Sequence, residues 1–327
     1  MHFVDNNNIS DPRINLAIEE HLLRNWDTAE PILLFYINEP AVIIGRNQNT
    51  LEEIDPDFIR DKGIHVVRRL SGGGAVYHDL GNLNFSFITP DKKDLHKFAK
   101  FTDPVIRVLE KLGIEAELKG KSDIFAAGKK ISGNAQYATA GRMFSHGTLL
   151  FDTDLEVMLK ALNPRQVRIE SKAVQSIRNY VINLRELLPQ NMTIQELRQA
   201  ILGGLFAEGE ISSLPLTTAD WQQIEQISDD RYRQWEWNFG HSPKFNIQKS
   251  ERFSVGKIDV RINVANGRIQ TIKFYGDFSG RRDVAELEER LVGVRYEPAA
   301  LVKALEGIDI QRYLGDLAIS KLVALLY

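Results

Sequence analysis

The chain has 327 residues, 43% of them hydrophobic and 26% charged, with 44 acidic against 41 basic side chains and a formal net charge of −3. This length predicts two domains, and the charge balance excludes the basic excess of a general nucleic-acid binder. Cysteine is absent, which rules out disulfides, zinc-thiolate sites and cysteine-nucleophile chemistry. No run approaches the ~18–20 apolar residues of a membrane span, and the start His2-Phe3-Val4-Asp5 lacks a basic-then-apolar signal region, so a cytoplasmic protein without a membrane partner is expected.

The first predicted element is a helix opened by Asp11 and Pro12, running through Leu22 with a mixed apolar face. Pro31 to Ile37 and Ala41 to Ile44 read as strands joined by the turn signal Asn38-Glu39-Pro40. Gly45-Arg46-Asn47-Gln48-Asn49 closes the second strand with polar groups, and Asp55 to Asp61 reads as a short helix. A short apolar strand, His65 to Val67, then runs into Arg68, Arg69, Leu70, Ser71 and the glycines Gly72, Gly73 and Gly74. Next come a second apolar step (Ala75, Val76, Tyr77), a polar knot (His78, Asp79, Gly81, Asn82) and an alternating strand from Leu83 to Ile88.

Three adjacent glycines concentrate a large conformational-entropy cost. They make sense where backbone passes close to a ligand with its N–H groups free to donate. Two arginines upstream add fixed charge suited to phosphate or carboxylate, so the run reads as a cradle for an anion between two strands. It is neither a phosphate loop, because no Lys-Ser/Thr follows, nor a dinucleotide fingerprint, because it leads into a strand instead of a helix.

Lys97 to Leu112 reads as a helix stopped by Gly113, and Ala116 to Leu118 as a strand. Ile124 to Ala126, the turn Ala127-Gly128-Lys129 and the return Lys130 to Gln136 form a predicted hairpin with Lys130 opening its second arm. Met143 to Phe151 is a strand, and Asp154 to Leu162 a helix stopped by Asn163-Pro164. Arg165 to Asn179 is basic and aperiodic, a candidate loop over the site. Thr193 to Glu208 and Ala219 to Asp229 are amphipathic helices, followed by the aromatic cluster Tyr232, Trp235, Trp237 and Phe239. Gly240-His241-Ser242-Pro243 marks the expected boundary, giving domains 1–243 and 244–327. Beyond it Phe253 to Val264 and Arg268 to Tyr275 read as a hairpin about Asn266-Gly267, with helices at Asp283 to Leu291, Pro298 to Leu305 and Ala318 to Leu326.

Arg68-Arg69-Leu70-Ser71-Gly72-Gly73-Gly74-Ala75-Val76-Tyr77-His78-Asp79 resembles the signature of the lipoate-protein ligases, within the biotin/lipoate ligase superfamily. The resemblance extends to Ile44 through Asn49, to Gly128-Lys129-Lys130-Ile131-Ser132-Gly133-Asn134-Ala135-Gln136, to His146-Gly147-Thr148-Leu149-Leu150 and to a small C-terminal domain, so it spans nearly the whole chain. It implies an α/β fold: a large biotin/lipoate-ligase-type catalytic domain around a mixed sheet, plus a small α+β C-terminal domain.

The resemblance further implies ATP-dependent activation of lipoate, or of octanoate, to an acyl-adenylate. The acyl group then passes to a lysine of lipoyl carrier domains, the E2 subunits of 2-oxoacid dehydrogenases and the glycine cleavage H protein. Such carriers are expected to be acidic around the target lysine. Bringing a carboxylate to a triphosphate needs a fixed cation between them, and a lysine at a rigid hairpin edge suits that role. By motif position that lysine is Lys130, a contact to both substrates, with Lys129 its exposed neighbour. Arg69 and the stretch Gly74, Ala75, Val76 and Tyr77 match nucleotide-contacting positions, and Ser71, Gly72 and Gly73 the loop that closes on the lipoyl end. His78 is either a ligand contact or a structural histidine bonded to backbone, and His146 is expected to pack beside the lipoyl tail. Asp123 falls where the family keeps an acidic residue beside Mg2+ and phosphates. Here the family's Gly-Arg-Asn-Asp has become Gly120-Lys121-Ser122-Asp123.

Two other readings compete. An ATP-independent lipoyl or octanoyl transferase resembles this chain in fold; its cysteine-thioester route is excluded by the composition, and an adenylate-free amide transfer stays open without a visible nucleophile. A non-catalytic lipoate-binding protein has no need of the full lysine motif together with the glycine run.

Overall fold

The computed structural model describes residues 1–25, 28–139, 141–162, 180–188, 192–206, 211–240, 247–265 and 267–327. The predicted loop 165–179, the boundary residues 241–243 and Asn266 lie outside the described residues. Contacts divide the chain into two units. One comprises Met1–Ile43, Glu53–Val67 and Val76–Gln234, and the other Ile44–Glu52, Arg68–Ala75 and Trp235–Tyr327. The glycine run therefore groups with the C-terminal residues.

In chain order the first ten strands are β1 (His2–Asp5), β2 (Ile32–Ile37), β3 (Ala41–Ile44), β4 (His65–Arg68), β5 (Val76–His78), β6 (Asn82–Thr89), β7 (Ala116–Lys119), β8 (Asp123–Ala126), β9 (Lys129–Ala138) and β10 (Met143–Leu150). A seven-stranded sheet has the order β1-β2-β6-β10-β9-β8-β7, parallel only where β1 meets β2. β4-β3-β5 form a separate three-stranded sheet, so β2 and β3, which the turn signal joins, lie in different sheets.

One face of the large sheet carries Leu83, Phe85 and Phe87 of β6 into a core with Phe101, Val105 and Leu109 of helix Phe98–Lys111 and Leu197 and Ile201 of helix Ile194–Leu205. Alternation along β6 predicts a solvated second face, yet every β6 residue is buried, Asn82, Asn84 and Ser86 included. β6 is a central strand, and its two asparagines bond internally: Asn82 donates to Asn84 (3.0 Å), and Asn84 to the Tyr36 carbonyl (3.2 Å). Helix Pro12–Asn25 starts where expected, Asp11 accepting from the Arg13 amide at 2.8 Å. It buries Glu19, Glu20 and His21. Residues distant in sequence bond to two of them: Tyr232 donates to Glu20 at 2.9 Å, and Asp220 meets the His21 ring at 3.0 Å.

In the second unit β11 (Ile247–Phe253), β12 (Gly256–Ala265) and β13 (Arg268–Gly276) form an antiparallel meander. Ile258, Val260, Ile262 and Phe274 pack with Leu287, Leu301 and Leu322 of three C-terminal helices. The sequence reading begins a strand at Phe253, whereas Phe253 ends β11. Ile247–Phe253 is mostly polar and exposed, an edge strand with little apolar signal. Among the described residues no helix is long and apolar enough to cross a membrane.

Candidate active site

The expected hairpin is present, tightened to a two-residue turn. Ala127 (φ 49°) and Gly128 (φ 73°) both adopt the left-handed conformation that a tight β8–β9 turn of the mirror-image type demands. Lys130 thus lies at the start of β9, and its ammonium meets the Asp123 carboxylate of β8 at 2.8 Å, both side chains about a quarter exposed, at 25% and 28%. The peptide of Ile182 donates to the Lys130 carbonyl (3.1 Å), fixing the main chain on its other side. Asn134 of β9 donates to the Ser122 carbonyl at 2.7 Å, which anchors the turn ahead of Asp123. Because that contact is to backbone, Ser122 in place of asparagine leaves it intact. A Cβ on Gly147 would fall 1.9 Å from Asn134 Oδ1, so the glycine of the His146-Gly147 motif makes room for this side chain.

The glycine run is built differently. Arg68 is fully buried and directs its donors at the backbone: Nε to the Trp237 carbonyl (2.9 Å), and terminal nitrogens to the carbonyls of Gly45 (3.0 Å), Arg46 (3.0 Å) and Gln48 (2.6 Å) and to Thr50 Oγ1 (2.7 Å). Burial pulls its guanidinium pKa down to about 10. The sequence reading counts Arg68 with Arg69 as charge for an anion, whereas its hydrogen bonds make it the clamp of the 45–50 loop. Arg69 folds back on its own run, donating to Ser71 Oγ (3.0 Å) and to the carbonyls of Gly72 (2.6 Å) and Gly74 (2.8 Å). Gly73 is left-handed, at φ 91°. A Cβ on Gly45 would lie 1.9 Å from the Gly73 carbonyl oxygen, so two of the sequence motifs pack backbone to backbone.

Of the predicted site residues, Arg69, Ser71, Gly72, Gly73, Gly74 and Ala75 belong to the second unit, and Val76, Tyr77, His78, Asp123, Lys130 and His146 to the first. Burial, with the Asp79 charge next in effect, pushes the Tyr77 phenol pKa up. His78 is buried at the end of an amide chain in which Asn6 donates to Asn15 (2.8 Å), Asn15 to Asn38 (2.8 Å) and Asn38 to His78 Nδ1 (3.0 Å). Since an amide nitrogen only donates, Nδ1 accepts in this arrangement. Asp79 takes amide protons from Gly81 (2.9 Å) and Asp154 (2.8 Å), while burial pushes its carboxyl pKa up. His146, on β10, directs Nδ1 at the carboxylate of buried Glu19 (3.0 and 3.1 Å), and its ring lies 4.7 Å from that of Phe144. Glu19 is absent from the sequence-derived site, because only the fold brings helix Pro12–Asn25 over β10.

Residues 11–206 match the lipoyl protein ligase A/B catalytic domain, and residues 242–326 the bacterial lipoate protein ligase C-terminus. The chain belongs to the lipoate-protein ligase family. It is 51% identical over 331 residues to the lipoate-protein ligase LplJ of Bacillus subtilis (strain 168), the match covering 100% of both chains. Among solved structures, a bi-partite lipoate protein ligase described with its E2 lipoyl domain from Thermoplasma acidophilum superposes with a TM-score of 0.67 at 30% identity, over 75% of this chain and 98% of that one. A lipoate-protein ligase A bound with ATP gives 0.63 at 32% identity, over 73% and 98%. This ligase thus has the mixed-sheet fold with a smaller C-terminal three-stranded sheet that the sequence resemblance implies.

Proposed function

We propose that this ligase joins lipoate to a carrier lysine in two half-reactions. A lipoate carboxylate oxygen attacks the α-phosphorus of ATP and pyrophosphate leaves, giving lipoyl-AMP. The carrier amine then attacks the acyl carbon, loses its proton and expels AMP. The observation that carries this reading is the Lys130 ammonium, held by one carboxylate on a partly open strand face. A cation so placed can exchange its carboxylate partner for substrate oxygens without moving the backbone, and its attraction grows as charge shifts onto phosphate.

In this reading Arg69 and the stretch Gly74, Ala75, Val76 and Tyr77 hold the nucleotide, and Ser71, Gly72, Gly73, His78 and His146 the lipoyl group. Residues 1–243 form the catalytic part and 244–327 an accessory domain. The ATP-bound relative supports ATP as co-substrate, and the relative described with its E2 lipoyl domain supports lipoyl domains as acceptors. E2 subunits and the glycine cleavage H protein are the acceptors this reading expects. Among the described residues no group of three or more His, Cys, Asp or Glu side chains could hold a metal, and Asp123 offers a lone carboxylate. Such a donor set fits Mg2+ whose other ligands are phosphate oxygens and water, where the ion would neutralise phosphate charge.

The test is incubation with lipoate, ATP and apo carrier domain. Intact mass should show one lipoyl group gained, and pyrophosphate should appear even without carrier. A mass gain without ATP would instead favour acyl transfer between carriers.

A further inference from the structure

Pairing along β8 and β9 changes register in mid-hairpin. Asp123 pairs with Gly133 and Ile124 with Ser132, but Phe125 pairs with Lys130 and Ala126 with Lys129, which leaves Ile131 as one extra residue. Strict alternation would put Lys130 on the face of Ser132, which is fully buried. The bulge instead sends Ile131 and Ser132 inward together and turns Lys130 onto the face shared by Phe125, Asp123 and Gly133. From there its side chain runs across Gly133 to reach Asp123, the cross-strand partner of that glycine. A Cβ on Gly133 would stand 3.3 Å from Lys130 Nζ and 3.4 Å from Cε, and only 3.8 Å from Asp123 Oδ1. Gly133 does not have a left-handed φ, so its backbone does not demand glycine. Space for the lysine does.

We propose that Gly133 and Asp123 are positioning residues for Lys130. The glycine is the floor over which the side chain lies, and the carboxylate holds the ammonium extended along the strand before substrates arrive. This rests on the reading of Lys130 as the cation of the adenylating step. It adds that the placement is built by the bulge, the missing Cβ and the paired carboxylate together. Gly133→Ala is the decisive variant because it alters no charge and leaves the Asp123 carboxylate available to Mg2+. The close contact falls on the flexible end of a lysine, so the cheapest adjustment is a shift of that end, not of the hairpin.

The experiment has two readouts. Ligand-free protein is treated with the N-hydroxysuccinimide ester of acetic acid, and Lys130 acetylation is measured by mass spectrometry against Lys129 in the same molecule. Gly133→Ala and Asp123→Asn should each raise that ratio about threefold, the size of one partly exposed ion pair. Pyrophosphate release with lipoate and ATP should then show kcat lowered on the order of ten- to a hundredfold in Gly133→Ala with KM for ATP little changed, as for a misplaced group that still carries its charge. Asp123→Glu should recover part of what Asp123→Asn loses. An unchanged acetylation ratio in both variants, or a raised ratio with unaltered kcat, overturns the proposal. If the unmodified enzyme releases no pyrophosphate, the adenylating reading falls separately, and the acetylation ratio still decides how Lys130 is held.

Discussion

Arg68 and Lys130 are both cations next to a strand terminus in a recognisable motif, and the protein uses them in opposite ways. Arg68 is buried, and its planar guanidinium serves the carbonyls of Gly45, Arg46, Gln48, Trp237 and Asn238 and a threonine hydroxyl. Lys130 is a single point charge, a quarter exposed, facing one carboxylate that it can leave. The guanidinium suits the first task because its donors are fixed in a plane and can satisfy several acceptors at once. The ammonium suits the second because it is compact and reorients freely. In the proposed mechanism one cation is scaffold and the other reagent, and the difference lies in the number and kind of acceptors around each.

The contrast breaks most visibly at Lys130. Lys130→Ala should lower pyrophosphate release by ~10²–10³, the scale for removing one electrostatic stabiliser, with the unfolding midpoint little changed. Lys129→Ala, one residue away, should stay close to wild type in the same assay. Near-normal pyrophosphate release by the Lys130 variant would sink its assignment.

Arg68→Ala should do the reverse, acting first on folding. It strands several buried carbonyls, each worth ~1–3 kcal/mol when unsatisfied, so a total near 3 kcal/mol is expected in denaturant unfolding. Arg68→Lys should recover only part of this, since one ammonium cannot span the same acceptors. A lysine variant as stable as wild type would show that charge, not the fork, matters at this position.

Gly74→Ala sharpens the comparison within the glycine run. Unlike Gly45, whose Cβ would strike the Gly73 carbonyl, Gly74 has open space at its Cβ position, and its φ is not left-handed. The variant should fold normally and raise KM for ATP about tenfold, because the backbone N–H stays but the added methyl keeps a phosphate from reaching it closely, at a cost of roughly one charge-assisted hydrogen bond. Unchanged KM would remove Gly74 from the nucleotide contacts.

Much of this was legible in the sequence. The glycine run and the hairpin with Lys130 on its second arm follow from turn residues and periodicity, and the α/β class from the family resemblance that the motifs carry. The bulge at Ile131 was not, because Ile131-Ser132-Gly133 reads as ordinary strand until its partner is known. Nor could Arg68 be told from Arg69: adjacent identical residues differ only in which carbonyls the fold brings to them. Nor was the burial of Glu19 and Glu20 visible, since His146 and Tyr232, which bond to them, lie 127 and 212 residues away. β11 was missed for the opposite reason, a polar edge strand with almost no apolar signal.

The smallest expected effect concerns the other basic side chains about the Lys130 hairpin. Lys119 lies over the Phe125 ring at 5.1 Å, Phe125 packs edge-to-face with Tyr180, and Lys121, Lys129 and Arg142 add charge on neighbouring turns and strands. This is a basic region on a chain whose net charge is −3. If an acidic carrier domain docks there, the attraction acts mainly on association rate and weakens as salt rises. Exposed pairs contribute only ~0–1 kcal/mol each, so Lys129→Glu with Arg142→Glu should raise the carrier KM about fivefold at low ionic strength. The difference should shrink toward nothing at about 0.5 M salt, where the screening length falls to a few ångströms. Pyrophosphate release without carrier should stay normal, because the proposed mechanism assigns neither side chain to ATP or lipoate. A fall in both half-reactions would assign the region to the nucleotide, and no change in either would place docking elsewhere on the surface. The split between half-reactions therefore separates charge that handles substrate from charge that meets a partner, within a single hairpin.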